Sequence, residues 1–579
     1  MRPSALIDFR SPDAGVAPLR LAFGTPREVL RAATLDDVAP LLERVDALAR
    51  DGAWCVGHLC YEAAGAFDEA FETHPPSDPA KPLASFAVHD APLVDVAAFD
   101  SDATATVQWT GGPERTWFDA TIAEILRAIA DGQVYQVNAT APLTGTLQGD
   151  PLALFAALRR AQPNAYAAYL DHGDDPILSV SPELFFDWRA DRLLARPMKG
   201  TAPRGATPAE DAAQSEFLRS AAKERAENLM IVDLLRNDLS RIATPHSVRV
   251  PRLFHTEAWP TVWQMSSDVV ATTRPGLTLA DVFGALFPCG SITGAPKVQA
   301  MRLIRALEPG PRGVYCGAVG VVQPGGAATF NVPIRTLQLQ GEHVRCGIGS
   351  GITADATAAG EWDEWRHKRA FVDRASQAFE LLETLRLEDG AFVDVDAHLA
   401  RMADAAAHFG FAPPLEAARE ALETLRLAHA SGRWRVRLLA SRAGAARAQA
   451  FALAPTQAPV RVALADRALA GSDGEFVRFK TTHRAHYDAF TPADAAVFDT
   501  LLWNERGELT EFTRGNVALR IDGRWLTPAL QCGLLNGIAR ARLLREGTIE
   551  EAVLTRDDLA RADDVAFFNS LRGWLSARY

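Results

Sequence analysis

The stretch Phe287-Pro288-Cys289-Gly290-Ser291-Ile292-Thr293-Gly294-Ala295-Pro296-Lys297 decides how the first part of this 579-residue chain is interpreted. Its glycines and prolines predict a tight turn, and the residues after it are predicted to continue as a helix. Backbone amides at the start of a helix can hold an anion. On its own the stretch is also compatible with a plain turn, so its meaning depends on the segments around it.

Two later segments carry features that suit an anionic ligand. Ile334-Arg335-Thr336 places an arginine on a predicted strand, where its guanidinium can bind a carboxylate through two hydrogen bonds. Gly347-Ile348-Gly349-Ser350-Gly351 allows close approach of the backbone to a ligand, because glycine has no side chain. Both segments belong to a region with three apolar runs, 314–322, 328–339 and 344–352, which we predict to form adjacent strands.

Two pairs of glutamates are spaced three residues apart in predicted helices. Glu224 and Glu227 lie in the stretch 212–241, which lacks glycine and proline and predicts one or two helices. Glu361 and Glu364 begin a helix predicted over 360–378. Residues at this spacing share a helix face, and four carboxylates from two such faces would suit Mg2+. For any single pair, the ordinary interpretation is solvated surface charge.

Composition and charge restrict the class of protein. The length favours more than one domain, and 48% hydrophobic residues is ordinary for a globular protein. A formal net charge of -12 argues against a nucleic-acid partner. The six cysteines contain no C-x-x-C pair, so neither a zinc site nor a disulfide framework is expected. Residues 1–20 lack the apolar segment of a signal peptide, and no run reaches membrane-spanning length, so we expect a cytoplasmic protein without a membrane partner.

Further motifs extend the pattern, namely Tyr135-Gln136-Val137-Asn138, Ser181-Pro182-Glu183, 231–239 and 312–317. Together and in this order, the segments over 115–370 resemble the chorismate-utilising enzymes. That family includes anthranilate synthase component I, aminodeoxychorismate synthase component I, and the isochorismate and salicylate synthases. The resemblance implies a Mg2+ site formed by Glu224, Glu227, Glu361 and Glu364. It also implies that the two carboxylates of chorismate are surrounded by Thr293, Tyr315, Arg335, the Gly349 amide and Lys368.

Two positions separate the members of this family. Water-adding relatives carry a lysine base where this chain has Gln136, and glutamine cannot deprotonate water, so the resemblance favours ammonia as the nucleophile. Anthranilate synthases resemble P-I-A-G-T where this chain has Pro197-Met198-Lys199-Gly200-Thr201. Lys199 would attack C2 of chorismate as the C4 hydroxyl leaves, and ammonia would then enter at C4 and expel the lysine. Such a lysine must be neutral, so we expect burial to lower its pKa; the ordinary alternative is a lysine paired with a carboxylate in a strand.

Two features of the first part leave gaps in this chemistry. Gln264 occupies the position where the family often has a histidine, and glutamine can donate a hydrogen bond to a leaving hydroxyl but cannot deliver a proton. The general acid therefore stays unassigned. No G-x-C-x-G nucleophile motif followed by a histidine and a glutamate is present, so ammonia is expected from a separate glutaminase subunit or from free ammonium.

The part after residue 376 carries a second ordered set of motifs, 476–482, 510–517, 533–540 and 567–573, which follow a strand and hairpin predicted over 379–390. This set resembles the fold-type IV pyridoxal-phosphate enzymes, which include aminotransferases and aminodeoxychorismate lyase. The resemblance implies that Lys480 carries the cofactor and moves a proton, and that Glu511 bonds the pyridine nitrogen. The cofactor phosphate would be held by Arg401, the backbone amides at Gly537 and Ile538, and Ser570.

The two resemblances predict an α+β chain with a chorismate-utilising β-sandwich and flanking helices, followed by a domain like the D-amino-acid aminotransferases. The expected divisions are 1–110 for the N-terminal part of the synthase region, 111–375 for the chorismate-binding region and 376–579 for the pyridoxal-phosphate lyase domain. A domain that makes 4-amino-4-deoxychorismate, joined to one able to eliminate pyruvate from it, would form 4-aminobenzoate, a folate precursor.

The motifs alone leave alternatives to this bifunctional enzyme. The motifs do not separate a lyase from an aminotransferase in the second half. An anthranilate synthase component I is a second alternative for the first half, against which Lys199 argues. A catalytically inactive chorismate-binding regulator is a third alternative, which the intact Lys199 and Lys480 disfavour. Because fold-type IV sites commonly borrow residues from a second subunit, a homodimer through the C-terminal domain is a further expectation.

Overall fold

A computed structural model describes residues 2–13, 15–76, 78–93, 105–204, 208–259, 262–472 and 474–579. The chain divides into two compact units, Met1–Gln377 and Ala378–Tyr579. Within the described ranges, no helix combines the length and the apolar character that are needed to cross a membrane.

The first unit is built on two large sheets. Its strands are β1 (Ala5–Phe9), β2 (Leu19–Phe23), β3 (Glu28–Ala32), β4 (Trp54–Leu59), β5 (Ala84–His89), β6 (Thr106–Gly111), β7 (Gln136–Gln148), β8 (Tyr166–Leu170), β9 (Ile177–Ser181), β10 (Leu184–Arg189), β11 (Arg192–Arg196), β12 (Met198–Pro203), β13 (Arg249–Ala258), β14 (Val262–Thr272), β15 (Gly294–Ala295), β16 (Ala318–Val322), β17 (Ala328–Asn331), β18 (Thr336–Gln340) and β19 (His343–Ile352). As far as the chain is described, a nine-stranded sheet has the order β15-β7-β19-β18-β9-β8-β1-β2, with β6 beside β7. A ten-stranded sheet has the order β12-β14-β11-β10-β17-β16-β4-β5-β3, with β13 beside β14.

The two sheets pack face to face and are covered by helices. The helices are α1 (Leu35–Arg50), α2 (Arg115–Ala130), α3 (Pro151–Ala161), α4 (Pro208–Ser220), α5 (Ala222–Ser240), α6 (Leu279–Leu286), α7 (Lys297–Leu307) and α8 (Ala358–Ala375). Apolar side chains of both sheets share one core, in which Ile7 of β1 lies with Val56 of β4 and Val319 of β16. Helices α2, α3, α7 and α8 cover the outer face of the nine-stranded sheet, and α1, α5 and α6 cover the other. The predicted β-sandwich with flanking helices is confirmed.

The predicted helices of the first unit form close to their expected positions. Helix α2 covers the pattern at 115–131, and the stretch 212–241 forms two helices that are separated at Ala221, whose backbone is extended. Helix α8 follows Thr357, whose hydroxyl accepts a hydrogen bond from the Gly360 amide at 3.2 Å. This bond satisfies an amide that would otherwise lack a partner at the start of the helix.

The prediction of three adjacent strands is confirmed in part, because β16 pairs with β17 and β18 pairs with β19, but the middle run is divided between the two sheets. Strands β16 and β17 belong to the ten-stranded sheet, whereas β18 and β19 belong to the nine-stranded sheet. The run 328–339 is interrupted where Pro333 removes a backbone donor and Arg335 adopts a left-handed φ of 52°. Arg335 therefore lies directly before β18 and not on a strand.

The second unit contains a small and a larger sheet. Its strands are β20 (Leu381–Glu388), β21 (Ala391–Phe392), β22 (Arg433–Ala440), β23 (Ala446–Ala452), β24 (Val460–Leu464), β25 (Asp499–Trp503), β26 (Leu509–Phe512), β27 (Asn516–Ile521), β28 (Arg524–Pro528), β29 (Glu550–Ala552), β30 (Asp564–Asn569) and β31 (Gly573–Arg578). Its helices are α9 (Val395–Phe409), α10 (Leu415–Ala428), α11 (Glu475–Arg478), α12 (Ala485–Asp488), α13 (Ile538–Arg545) and α14 (Arg556–Arg561). In the described residues the sheet orders are β21-β20-β22-β23 and β26-β25-β24-β31-β30-β27-β28-β29.

Helices α9 and α10 share a core with the smaller sheet, including Leu399 and Leu422. The predicted hairpin after β20 is confirmed, because Leu387 pairs with Phe392 and the turn residues Asp389 and Gly390 have φ values of 47° and 78°. Positive φ at both central turn positions gives the twist that a short hairpin needs.

Candidate active sites

In the first unit, the ends of the Lys199 and Gln136 side chains both lie next to Gly351. The glycine lies on β19, opposite Asn138 of β7. A Cβ atom built on Gly351 would lie 2.9 Å from Lys199 Nζ and 2.8 Å from Gln136 Nε2. Because such contacts are closer than a Cβ atom tolerates, any other residue here would force one or both side chains to move.

Lys199 is a partly buried lysine of β12 with a lowered pKa. Burial is the main cause, and the positive charge of Lys368 acts in the same direction. Glu183, Glu227 and Glu364 oppose the shift. Lys199 is thus a lysine with a strengthened tendency to lose its proton, as its predicted role requires.

Gln136 presents a buried amide with unused polar atoms. Its side chain is 0% exposed, and neither Oε1 nor Nε2 has a hydrogen-bond partner among the described residues. Leaving both atoms of a buried amide unpaired is costly, so the arrangement suits a small polar ligand that supplies the missing bonds.

Glu183 is a site residue to which the sequence assigned no role, although Ser181-Pro182-Glu183 carried part of the resemblance. It lies between β9 and β10, where the chain passes from one sheet to the other, and its side chain is buried. Oε1 has no hydrogen-bond partner in the described structure. Burial raises its pKa to about 7, while Ser291, Lys199 and Lys368 oppose the rise. A carboxyl group with such a pKa can both donate and accept a proton near neutral pH.

The four glutamates predicted to bind Mg2+ interact electrostatically but do not form a ready ligand set. Burial and the charges of Glu227 and Glu364 raise the pKa of Glu224, and burial raises that of Glu361, which accepts a hydrogen bond from Ser350. Among the described residues no group of three or more His, Cys, Asp or Glu side chains is arranged to hold a metal ion.

Besides Glu361, three of these carboxylates are engaged by protein groups. Glu364 Oε1 pairs with Lys368 Nζ at 2.7 Å, and Glu227 Oε1 accepts from Thr353 Oγ1 at 3.2 Å. Glu224 Oε2 faces Gly200, beside Lys199, at 2.8 Å from the position of a Cβ atom on that glycine. The donor chemistry fits a hard cation such as Mg2+, and the metal site stays a prediction.

The residues predicted to surround the carboxylates of chorismate have different environments. Burial lowers the pKa of Arg335 to about 10, and its guanidinium donates to the Gln162 side-chain oxygen. Lys368 Nζ donates to Gly349 O at 3.0 Å, so these two predicted residues are in contact. Thr293 Oγ1 donates to Cys289 O at 3.1 Å, and the Tyr315 ring lies against Gly347, where a Cβ atom would be 2.3 Å from it.

The Gln264 side chain is hydrogen-bonded to β12, the strand that contains Lys199. Its Nε2 donates to Gly200 O at 2.9 Å, and its Oε1 accepts from Thr201 Oγ1 at 3.2 Å. The predicted role as a donor to a leaving hydroxyl therefore competes with these two bonds. Glu183 is a second candidate for proton transfer, because it is buried and is one of the carboxylates that act on the charge of Lys199.

In the second unit, Lys480 lies among charged residues that act on its ammonium group. Burial, Arg484 and Arg401 lower its pKa to about 8, and Glu383 and Glu511 oppose this shift. Its backbone carbonyl accepts from Leu382 N at 3.1 Å, which fixes the segment against β20. A partly buried lysine with a pKa lowered to about 8 is suited to imine formation and proton transfer.

Glu511 on β26 is buried, and two hydrogen bonds fix its side chain. Oε1 accepts from the Tyr487 hydroxyl at 2.6 Å and from Leu535 N at 3.0 Å. Burial raises its pKa to about 7. A carboxyl group held in this way can form a strong hydrogen bond to a ring nitrogen, so it fits the pyridine of the predicted cofactor.

Some of the residues that are predicted to bind the cofactor phosphate lie close to one another. Arg401 Nη1 donates to Asn536 O at 3.1 Å, which joins it to the turn that contains Gly537 and precedes α13. The other nitrogens of Arg401 bond both carboxylate oxygens of Glu383, at 2.8 and 2.7 Å. A Cβ atom on Gly537 would lie 2.1 Å from Asn516 Oδ1, so the turn requires glycine.

Ile538 begins α13, and Ser570 follows β30, the strand that pairs with β27, on which Asn516 lies. The helix start and the strand end therefore approach the same side chain. These residues fit the phosphate of pyridoxal phosphate, and their roles in binding it stay predictions.

Comparisons with known proteins agree with the two units. Residues 97–374 match the family described as chorismate binding enzyme, and residues 380–578 match the family described as amino-transferase class IV. The first unit is similar to aminodeoxychorismate synthase component 1 of Klebsiella aerogenes, with 41% identity over 287 residues, which cover 50% of this chain and 62% of that protein. It is also similar to anthranilate synthase component 1 of Neisseria meningitidis, with 38% identity over 260 residues, covering 45% of this chain and 53% of that protein.

The chain thus spans less than two thirds of the length of these relatives. Among solved structures, anthranilate synthase component I of Streptococcus pneumoniae matches with a TM-score of 0.52 and 23% identity. The match covers 64% of this chain and 91% of that protein. At this identity the likeness establishes the fold alone.

Proposed function

Because residues 97–374 belong to the chorismate binding enzyme family and residues 380–578 to the class IV amino-transferase family, we propose that this chain makes 4-aminobenzoate from chorismate in two steps. The first unit aminates chorismate at C4, and the second eliminates pyruvate from the product. The similarity to aminodeoxychorismate synthase component 1 supports the first step. The observation that carries it is the meeting of Lys199 and Gln136 at Gly351.

The first step begins with attack of neutral Lys199 on C2 of chorismate. The new bond from Nζ to C2 shifts the two ring double bonds towards C4, and the C4 hydroxyl leaves. Glu183, with a pKa of about 7, holds the proton that accompanies the hydroxyl as water. Ammonia then bonds to C4, the double bonds shift back, and Lys199 is expelled from C2. The Glu183 carboxylate accepts the proton released by the ammonium nitrogen.

Other residues of the first unit orient the reactants. The unpaired amide of Gln136 is suited to hold the incoming ammonia. Arg335 is partly buried and pairs with no carboxylate among the described residues, so its guanidinium suits a carboxylate of chorismate. Glu224, Glu227, Glu361 and Glu364 would hold Mg2+, which would offset the negative charge of the substrate.

The second step uses Lys480 and Glu511. Pyridoxal phosphate, when bound, supplies an electron sink next to the amine carbon. Lys480, with a pKa of about 8, removes the C4 proton and returns a proton as pyruvate leaves. Glu511, held by Tyr487, would bond the pyridine nitrogen, and Arg401, joined to the turn before Gly537, would hold the phosphate. Loss of pyruvate makes the ring aromatic, which drives the step.

A separate subunit is proposed as the source of ammonia. The Klebsiella relative is named component 1, which supports a second component. Purified chain should form product with ammonium chloride but not with glutamine, until a glutamine amidotransferase is added. Turnover of glutamine by the chain alone would contradict this part of the proposal.

Product identification tests the whole proposal. Full-length protein is supplied with chorismate, ammonium and Mg2+, with and without pyridoxal phosphate. We expect 4-aminobenzoate and pyruvate in the presence of the cofactor. The variant Lys480→Ala should instead accumulate 4-amino-4-deoxychorismate, which an added lyase converts to 4-aminobenzoate. Formation of 2-aminobenzoate would establish an anthranilate synthase, and consumption of an amino donor without 4-aminobenzoate would establish an aminotransferase as the second half.

A further inference from the structure

Two arginines of the second unit, which no predicted role uses, flank a single aromatic ring. Arg514 lies between β26 and β27, and Arg572 lies between β30 and β31. The guanidinium carbons are 5.2 and 5.8 Å from the centre of the Phe498 ring. That ring is itself fixed by an edge contact with Phe567, at 5.0 Å between ring centres.

The two arginines are joined by one side chain next to a predicted cofactor residue. Asn569 Nδ2 donates to Arg514 O at 3.0 Å, and Asn569 Oδ1 accepts from Arg572 N at 2.8 Å. Ser570 lies between Asn569 and Arg572 in the same turn, and Glu511 lies three residues before Arg514. Asn516 links this turn to Glu511, because its Nδ2 lies 3.5 Å from Glu511 Oε2 and the residue pairs with Phe568, the neighbour of Asn569.

The positive charge at this place is not balanced by the carboxylate beside it. In the described residues, Asp499 pairs with Arg514 through Oδ2 at 3.3 Å. Its Oδ1 already accepts from Thr513 Oγ1 at 2.6 Å and from two backbone amides. Arg572 is partly buried, and after burial the charges that lower its pKa are those of Arg514 and Arg435. The Arg514 guanidinium also donates to Phe498 O, and that of Arg572 donates to Thr456 Oγ1, so two arginines share one engaged carboxylate and uncharged acceptors. This excess of positive charge favours an anionic ligand.

We propose that Arg514 and Arg572 bind a carboxylate of the substrate of the second unit and select a cyclic dicarboxylate over a monocarboxylate. This inference rests on the proposed function, because 4-amino-4-deoxychorismate carries one carboxylate on its ring and one on its enolpyruvyl group. While the cofactor and Lys480 engage the amine carbon, one of these carboxylates must find a partner elsewhere. A guanidinium fork matches a carboxylate through two hydrogen bonds, and here Arg572 is partly buried while Arg514 is exposed.

The test compares two inhibitors in the full-length protein loaded with pyridoxal phosphate. Isophthalate carries two carboxylates on a six-membered ring, and benzoate carries one. Binding is followed by the change in cofactor absorbance, which does not require turnover. We expect isophthalate to bind at least about tenfold more tightly than benzoate, since one charged hydrogen-bonded contact is worth that much.

The variants Arg572→Met and Arg514→Met should lose this preference while benzoate affinity stays within twofold, and Arg572→Lys should keep part of it. Arg461→Met is the matched control, because Arg461 is an exposed arginine of the same unit that pairs with Asp494 at 3.4 Å. Cofactor content, read from the same spectrum, shows that each variant is folded. An unchanged preference in both variants would overturn the inference.

Two outcomes separate this inference from others. If the variants bind pyridoxal phosphate less tightly and keep the preference for isophthalate, the arginines serve the cofactor phosphate and the inference is wrong. If the preference behaves as expected but the protein does not convert 4-amino-4-deoxychorismate, the proposed function fails and the dicarboxylate site stands. Conversion with normal kinetics in both arginine variants would leave the function intact and refute the site.

Discussion

Lys368 Nζ pairs with Glu364 Oε1 at 2.7 Å, although the sequence assigns the lysine to a substrate carboxylate and the glutamate to a metal ion. Both residues lie on α8, one helical turn apart. The pairing lowers the pKa of Glu364 against the effect of burial. The ion pair thus keeps one proposed metal ligand ionised but occupied, so a metal ion and the lysine compete for it.

This competition predicts that Lys368→Met increases the affinity for Mg2+. The substitution frees the Glu364 carboxylate, and a partly exposed pair of this kind contributes up to about 1 kcal/mol, which corresponds to about fivefold tighter binding. Titration calorimetry with MgCl2 measures the change. Arg369→Met is the control, because it breaks the pair with Asp373 on the same helix. Equal Mg2+ affinity in both variants and the parent would refute the competition.

Lys199→Ala should abolish amination at C4. We expect the rate of 4-amino-4-deoxychorismate formation to fall at least about a thousandfold, because the covalent route has no other nucleophile. Chromatography of the products from chorismate and ammonium measures it. Supplied 4-amino-4-deoxychorismate should still be converted to 4-aminobenzoate, which shows that the second unit is intact. A variant that aminates C4 at the parental rate would exclude the covalent role.

Gly351→Ala should impair the same step without removing any functional group. The added Cβ would lie within 2.9 Å of Lys199 Nζ and even closer to Gln136 Nε2, so one or both side chains must move. A displacement of about 1 Å at a reacting group costs up to about 100-fold in rate. Gly310→Ala is the control, because no atom lies within 4 Å of a Cβ built there. Similar rates for both variants would show that the close approach is not needed.

Glu183→Gln should remove one limb of the pH profile of amination. The acid form of Glu183 is the proton donor, so with a pKa of about 7 the parental rate should fall as the pH rises above that value. Lys199 must be neutral, so the rate should also fall at low pH. The variant should be slower by about 100-fold or more and lack the decline on the alkaline side. If initial rates between pH 5 and 9 keep that decline, another group is the acid.

Tyr487→Phe should weaken the second step alone. The substitution removes the 2.6 Å hydrogen bond from the tyrosine hydroxyl to Glu511 Oε1. A hydrogen bond to a charged group contributes about 1.5–3 kcal/mol, so we expect cofactor affinity or elimination rate to fall about tenfold or more. Spectroscopic titration with pyridoxal phosphate and the rate of pyruvate release measure the two effects. Tyr579→Phe, at an exposed position, should change neither.

In both units, the sequence predicted the helices and turns that depend on residues only a few positions apart. Helix α2 and the hairpin after β20 follow from periodicity and from turn residues, which act within a few positions. The three apolar runs over 314–352 were predicted as adjacent strands, and consecutive runs do pair. The division of the middle run between two sheets was not predicted, because apolar strands look alike whichever of two packed sheets they enter. Pro333 and the left-handed Arg335 are where the chain changes sheets.

The ordered motifs by themselves determined the two families, the proposed nucleophile Lys199 and the proposed cofactor lysine Lys480, because each motif is a continuous stretch of residues. Only the tertiary structure decided that Glu183 acts on Lys199, that Lys368 occupies Glu364, and that Arg514 and Arg572 share one aromatic ring. Most of these residues lie on different helices, strands or turns, and are close only after folding. Lys368 and Glu364 lie on one helix, but the residues packed around that helix decide whether they pair. Their pKa values and pairings arise from burial and from charges brought together by folding, which no local pattern encodes.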